Sequence, residues 1–229
     1  MAILMIRGVL TCLGIYISDF SKVSKIVRDG DLGSYNVLPN MMCFVNCFSW
    51  VMYGLLVGNY YIFCPNLAGM NFTLFYALSV YHLASAAKRN LIRNVLLVGQ
   101  TYVLIGALAA FVTLVPYDPE GTMREKVSGW VAVIALLVFY SSPLTDLANV
   151  IKSKDTSSIS LPLAIANGIN GCLWTAYGFA ISNPFVWAPN LAGILTVLVQ
   201  LLLVFIYRNS IRSLNEASSF MDNDKPLLS

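Results

Sequence analysis

Residues 46–69 read NCFSWVMYGLLVGNYYIFCPNLAG, and residues 170–193 read NGCLWTAYGFAISNPFVWAPNLAG. Adding 124 to a position in the first stretch reaches the same residue type in the second at every landmark: Asn46 and Asn170, Trp50 and Trp174, Tyr53-Gly54 and Tyr177-Gly178, Asn59 and Asn183. Pro65-Asn66-Leu67-Ala68-Gly69 maps without a gap onto Pro189-Asn190-Leu191-Ala192-Gly193. Solenoids stack at least three copies of roughly 20–50 residues. Two copies this far apart read instead as a duplicated membrane bundle, with binding residues drawn from both halves.

The composition supplies the setting. Hydrophobic residues make up 58% of the chain and charged residues 11%, far from the balance of a soluble domain. Seven apolar runs are long enough to span hydrocarbon: 2–21, 37–57, 61–86, 92–115, 127–150, 161–181 and 184–207. The first is not a signal peptide, because it lacks a basic leader and a small-residue cleavage site and has Asp19 near its end. Cys12, Cys43, Cys47, Cys64 and Cys172 fall inside apolar runs without metal-type spacing. They read as packing residues, and neither a metal nor another cofactor is expected.

Basic residues set the orientation. Lys22, Lys25, Arg28, Lys88, Arg89, Arg93, Lys152, Lys154, Arg208, Arg212 and Lys225 fall on one side, against Arg124 and Lys126 on the other. Eleven against two places the N-terminus outside or in a lumen and the C-terminus in the cytosol. The net charge of +3 follows from this asymmetry and needs no nucleic-acid partner. Three spans reverse the chain, so two parallel copies need one extra span between them, and 92–115 has no counterpart. The expected fold is therefore an all-α membrane protein of seven transmembrane helices, two parallel three-helix bundles joined by a linker helix in 3+1+3 order. Residues 1–90 form the first bundle, 91–126 the linker helix and an external loop, and 127–208 the second bundle. Residues 209–229 form a polar cytosolic tail, expected to be disordered.

Each copy points to a site. Trp50 lies about eight residues before the Gly58-Asn59 turn and Asn66 about seven after it, so both lie roughly 10–12 Å deep, near the middle of a ~30 Å core. Trp174 and Asn190 repeat that relation around Ser182-Asn183. Facing copies would make a pocket with two indole walls and two carboxamides. Carboxamides both donate and accept, matching a hydroxyl-rich ligand, and indole faces pack on apolar C–H surfaces. No charge is required, which favours a neutral solute. The plainer readings are a membrane-interface anchor for each Trp and a helix-joining bond for each Asn, which could also satisfy a carbonyl freed by the preceding Pro. Asn46 and Asn170, one turn before the Trp residues, either extend the pocket or join helices. Gly54, Gly69, Gly178 and Gly193 read as close-packing positions. Without a nucleophile–base pair, metal cluster or phosphate loop, the chain does not read as an enzyme.

The W-x-x-Y-G and P-N-L-A-G pairs resemble those of the SWEET sugar transporters, part of the wider PQ-loop/MtN3 group. So do Tyr140-Ser141-Ser142-Pro143-Leu144, Val150-Ile151-Lys152-Ser153-Lys154 and Ile159-Ser160-Leu161-Pro162. The resemblance covers nearly the whole chain. It implies a facilitative, bidirectional carrier working by alternating access, with Asn66 and Asn190 as the pocket pair and Trp50 and Trp174 as its aromatic positions. Disaccharide carriers of that family tend to have small residues where these Trp stand, so a monosaccharide such as glucose is expected. The family also carries four prolines at its cytosolic gate. Pro39 and Pro143 match them, Pro162 stands out of register, and the first-span position reads Asp19, a candidate gate or proton residue. Two rivals stay open: a PQ-loop-like, proton-coupled exporter of amino acids, and a seven-helix receptor or scaffold.

The tail ends Asp224-Lys225-Pro226-Leu227-Leu228-Ser229, and Asp224, Leu227 and Leu228 resemble an acidic dileucine sorting signal. The expected partners are a neutral sugar and the lipid bilayer of the plasma membrane or of a Golgi or endosomal membrane. A homo-oligomer and a sorting adaptor at the tail are left open.

Overall fold

The computed structural model describes residues 2–33, 35–113, 121–156 and 158–223, with side chains over 6–33, 35–111, 121–141, 143–156 and 158–207. The helices are α1 (Ala2–Ser18), α2 (Phe20–Asp29), α3 (Leu38–Leu56), α4 (Tyr60–Tyr81), α5 (Ala86–Leu108), α6 (Thr122–Ser153), α7 (Leu161–Ala180) and α8 (Pro184–Asn223). Every expected span has its helix, and α2 is a short amphipathic extension of the first beyond a break at Asp19. A π-helical stretch, Ala109–Thr113, ends α5.

Helices α1, α3 and α4 form one bundle and α6, α7 and α8 the other. The closest pairings are α3 with α4 and α7 with α8, and α5 packs on α3 and α6. Each bundle also lends its first helix to the other, so that α1 packs on α7 and α6 on α3. Gly99 and Gly106, two turns apart on α5, face Val45 of α3 and Val131 of α6 so closely that a β-carbon at either would overlap the valine. That fit seats the linker helix between the bundles.

Among the described residues, only α5, α6 and α8 contain segments apolar and long enough to cross a membrane by composition alone: Ala86–Phe111, Thr122–Ser153 and Pro184–Tyr207, with mean hydropathies of 1.7, 1.8 and 2.2. The others fall short for a physical reason. Helix α1 has 17 residues, while α3, α4 and α7 carry the Asn, Tyr, Gly and Pro that line the interior. Large apolar side chains still face outward on every long helix, among them Val98 at 69% exposure and Phe205 at 68%. Such a continuous apolar exterior is suited to lipid rather than water.

Three boundaries differ from expectation. Helix α5 starts at Ala86, where the Ser85 side chain accepts from Lys88 N. Helix α6 starts at Thr122 after Gly121, whose φ of 73° suits a residue without a β-carbon. Glu125 in its first turn complements the positive end of the helix. The domain limits at 90/91 and 126/127 therefore fall inside helices. The tail is helical as far as Asn223 rather than disordered from 209. Residues 209–223 contain neither Pro nor Gly, and extending an existing helix needs no new nucleus. Asp224, Leu227 and Leu228 lie outside the described residues.

Candidate functional site

The two helical hairpins carry the site. In each, a glycine lets the backbones nearly touch: a β-carbon at Gly54 would stand 2.8 Å from Phe63 N, and one at Gly178 2.5 Å from Trp187 N. The turns close by matching bonds, Asn59 N to Gly54 O and Asn183 N to Gly178 O, both 2.8 Å. Gly58 takes a left-handed φ of 68° in the first turn. Its mate Ser182 takes 54° in the second, at a cost of about 1 kcal/mol that the surrounding hairpin sustains.

This pairing sets Trp and Asn facing one another twice. Trp50 and Trp174 are each 6% exposed and belong to one central cluster with Cys12, Tyr53, Ile62, Leu136, Tyr177 and Val186. Each indole meets a tyrosine edge-on, Trp50 with Tyr53 at 5.4 Å and Trp174 with Tyr177 at 5.8 Å between ring centres. Asn66 Nδ2 donates to Ile62 O at 2.8 Å and Asn190 Nδ2 to Val186 O at 2.7 Å. The carbonyls freed by Pro65 and Pro189 belong to Tyr61 and Phe185, four residues earlier, so the expected role of the Asn in satisfying them is not what forms. Each Asn instead anchors one amide proton on its own helix, and its oxygen takes no donor among the described residues.

A cavity of about 410 Å3 joins these elements, lined by Trp50, Asn66, Trp174, Asn190, Asn46 and Asn170, all six of the expected binding residues. It runs from beneath the two hairpin turns to Asp146, Ser158, Ser160 and Gln200 at the opposite end. Pro39 and Pro143 line it, whereas Asp19 and Pro162 do not. Pro162 lies in the first turn of α7, where its missing N–H costs nothing. Asp19 marks the break between α1 and α2, close enough to Tyr35 for its charge to be felt there. Tyr76 Oη donates to Tyr16 O at 2.7 Å beside that break, so a discontinuity forms there without proline. Burial pushes the Tyr35 phenol above its ordinary pKa, and the charge of Asp19 adds to the effect. Asp19 is thus a helix-break residue that does not line the cavity.

The end beneath the turns is closed by hydrogen bonds that cross between the halves. Asn59 Nδ2 donates to Tyr177 Oη at 2.7 Å, and Asn183 Nδ2 donates to Tyr53 Oη at 2.6 Å. Asn183 Nδ2 also donates to Glu125 Oε1 at 2.6 Å. These repeat-related bonds form a latch. Sequence reasoning used Tyr53, Tyr177, Asn59 and Asn183 only as markers of the repeat. The signal for a role was their recurrence as polar residues within apolar hairpins. The other end is less evenly packed. A cluster of ten buried side chains, Tyr35, Met41 and Tyr76 among them, fills the first bundle there. Among the described residues, Leu147, Val150 and Leu203 do so in the second.

The sequence pattern described as "sugar efflux transporter for intercellular exchange" matches residues 2–88 and again 126–212, one match for each bundle. The chain belongs to the SWEET sugar-transporter family. The rat sugar transporter SWEET1 is 30% identical over 199 residues, covering 87% of each chain. The bidirectional sugar transporter SWEET4 of indica rice is 28% identical over 218 residues, 93% of this chain and 82% of the relative. A solved structure of a eukaryotic SWEET transporter superposes with a TM-score of 0.79 at 21% identity, covering 90% of this chain and 95% of that one, and so shares the fold. As in that family, the chain is an integral membrane protein of seven long helices in two bundles, and the family is one of transporters rather than enzymes.

The SWEET latch invites a direct prediction. Asn59→Ala removes one neutral hydrogen-bonded pair, about 1 kcal/mol, and is expected to raise the population open at that end roughly fivefold. Reactivity of Cys12 or Cys43, both cavity-lining, toward a membrane-impermeant thiol reagent applied from the latched side would report the change. Unaltered reactivity would show that the pair does not hold the end shut.

Proposed function

We propose that this chain is a facilitative, bidirectional carrier of a monosaccharide such as glucose, working by alternating access around the Trp50, Asn66, Trp174 and Asn190 cavity. The carrying observation is that cavity itself, with two repeat-related indole–carboxamide arms, a latch above it and a mouth below. Its volume of about 410 Å3 lies at the small end of the usual ligand-pocket range of about 300–1,000 Å3, which suits one sugar ring better than two. Asp146, near the mouth, is the one carboxylate among the described lining residues, so the middle of the wall suits a neutral solute.

The excess of basic residues on one side supports a mouth toward the cytosol and a latch outside or in a lumen. The conformation described here is then inward-facing. Outward opening would break the Asn59–Tyr177 and Asn183–Tyr53 pairs while the ends of α3 and α6 that carry Pro39 and Pro143 close the mouth. The same orientation puts the C-terminal tail in the cytosol, where a dileucine signal at Asp224, Leu227 and Leu228 would meet a sorting adaptor in the Golgi or endosomal system. The plasma membrane is the destination without that signal.

Counterflow in proteoliposomes tests the reading, with a hexose panel at two pH values, with and without a proton gradient, and with lysine and cystine as competing cargo. Hexose is expected to equilibrate without a gradient. Exchange of lysine or cystine with no hexose exchange would sink the proposal and favour the amino-acid exporter.

A further inference from the structure

The cavity is built from repeated residues, yet its two sides are not chemically equal. On the α7 side, Asn170 Oδ1 accepts from Thr11 Oγ1 at 3.0 Å, Cys12 Sγ at 3.1 Å and Trp174 Nε1 at 3.2 Å. Trp174 Nε1 also reaches Cys12 Sγ at 3.2 Å. The polar atoms of this side are therefore engaged by α1 and by one another. On the α3 side, Asn46 Oδ1 is buried with no donor, although Asn46 lines the cavity. The Trp50 indole N–H likewise meets no acceptor among the described residues, on a ring that lines the same cavity.

The cause lies in the sequence across the interface. The repeat offset of 124 pairs Tyr16 with Tyr140, which occupy matching places against Gly69 and Gly193. The same offset pairs Thr11 and Cys12 with Ala135 and Leu136. Helix α6 packs on α3 as α1 packs on α7, but Ala135 and Leu136 have no side-chain proton to donate. Asn46 therefore lacks the two donors that α1 gives Asn170, and the Trp50 indole N–H one turn on does not reach it as Trp174 reaches Asn170. A buried acceptor without a donor is unfavourable. No neighbouring side chain remedies it, and a hydroxyl entering the cavity can, once the carboxamide turns toward it.

We infer that sugar docks in one polarity: its hydroxyl-bearing edge against Trp50 and Asn46 of α3, its apolar C–H face against Trp174 of α7. Trp50 and Asn46 thus determine which sugar is selected. Asn170 is a positioning residue that holds the Trp174 ring in place for stacking. This division rests on the sugar-carrier reading above, and it assigns opposite roles to residues that the repeat makes formally identical. The required ligand is one that both accepts from an indole N–H and donates to a carboxamide oxygen, as a hydroxyl does.

Counterflow of D-glucose through the full chain in proteoliposomes, competed by its monodeoxy analogues, tests the assignment. In the wild type at least one analogue is expected to compete about tenfold more weakly than glucose, the worth of one buried hydrogen bond. Trp50→Phe and Asn46→Ala should each weaken glucose about tenfold and flatten that ranking. Trp174→Phe should slow exchange while preserving the ranking. An unchanged ranking in both α3 variants, a flattened one in Trp174→Phe, or a wild type indifferent to every analogue would overturn the inference. A second variant guards against misfolding: Ala135→Thr with Leu136→Cys offers Asn46 the donors it lacks, and should weaken glucose about tenfold. Unaltered glucose affinity there would also overturn it. A wild type that moves no hexose at all would be seen first and would remove the carrier reading itself.

Discussion

Trp50→Ala combined with Trp174→Ala is expected to weaken hexose half-saturation roughly a hundredfold and to admit a disaccharide. The two indoles are the largest side chains of the central cluster, and both line the cavity. The Trp174 ring offers an apolar face on which a sugar can stack, with a gain of up to about 1.5 kcal/mol beyond burial, and the Trp50 N–H offers a hydrogen bond worth about as much. Losing both removes about 3 kcal/mol, or two decades in affinity. The vacated space adds to a cavity of about 410 Å3 that is already open toward Ser158 and Ser160, so a second ring gains room along the path. Uptake of labelled glucose and labelled sucrose by the same proteoliposomes would measure both effects. Tight glucose transport with continued exclusion of sucrose would mean that the indoles neither hold nor size the substrate.

The second large effect falls on folding. Alanine in place of a helical glycine ordinarily stabilises by about 1 kcal/mol. At Gly178 the added β-carbon would stand 2.5 Å from Trp187 N, 2.7 Å from its Cβ and 2.8 Å from its Cα, all in or next to the α8 backbone. Backbone cannot rotate away as a side chain can, so the hairpin must part. Overpacking of this kind costs about 3 kcal/mol or more and outweighs the propensity gain. Gly178→Ala is therefore expected to lower the unfolding temperature of the purified protein by about 6 °C. Gly14, with nothing within 4 Å of an added β-carbon, supplies the contrast: Gly14→Ala should leave the temperature unchanged or raise it. Equal behaviour of the two variants would refute the close-approach account.

Much of this was legible from residues 46–69 and 170–193 alone. Repeat arithmetic identified the indole–carboxamide arms, and all six expected binding residues line the cavity. The same arithmetic did not reveal the latch, because Asn59 bonds Tyr177, 118 positions away, and Asn183 bonds Tyr53, 130 positions away. Those pairings exist only once the bundles face one another. That Asp19 marks the break between α1 and α2 and does not line the cavity was not legible, because hydropathy gives its depth along the helix but not which face it occupies. The helical stretch 209–223 was missed because polar composition alone does not reveal a helix that continues from an apolar one.

Helical period, span length and the 124-residue duplication are properties of short stretches or of the chain compared with itself, so the sequence by itself determined the helix order and which residues recur. Only the tertiary structure decided that Asn170 is engaged by donors while Asn46 is not. Whether Asn46 or Asn170 has a partner depends on the helix lying across from it, Ala135 and Leu136 of α6 in one case and Thr11 and Cys12 of α1 in the other. Hydrogen-bond occupancy is set by contact in space, and contact between α1 and α7 appears in no local pattern.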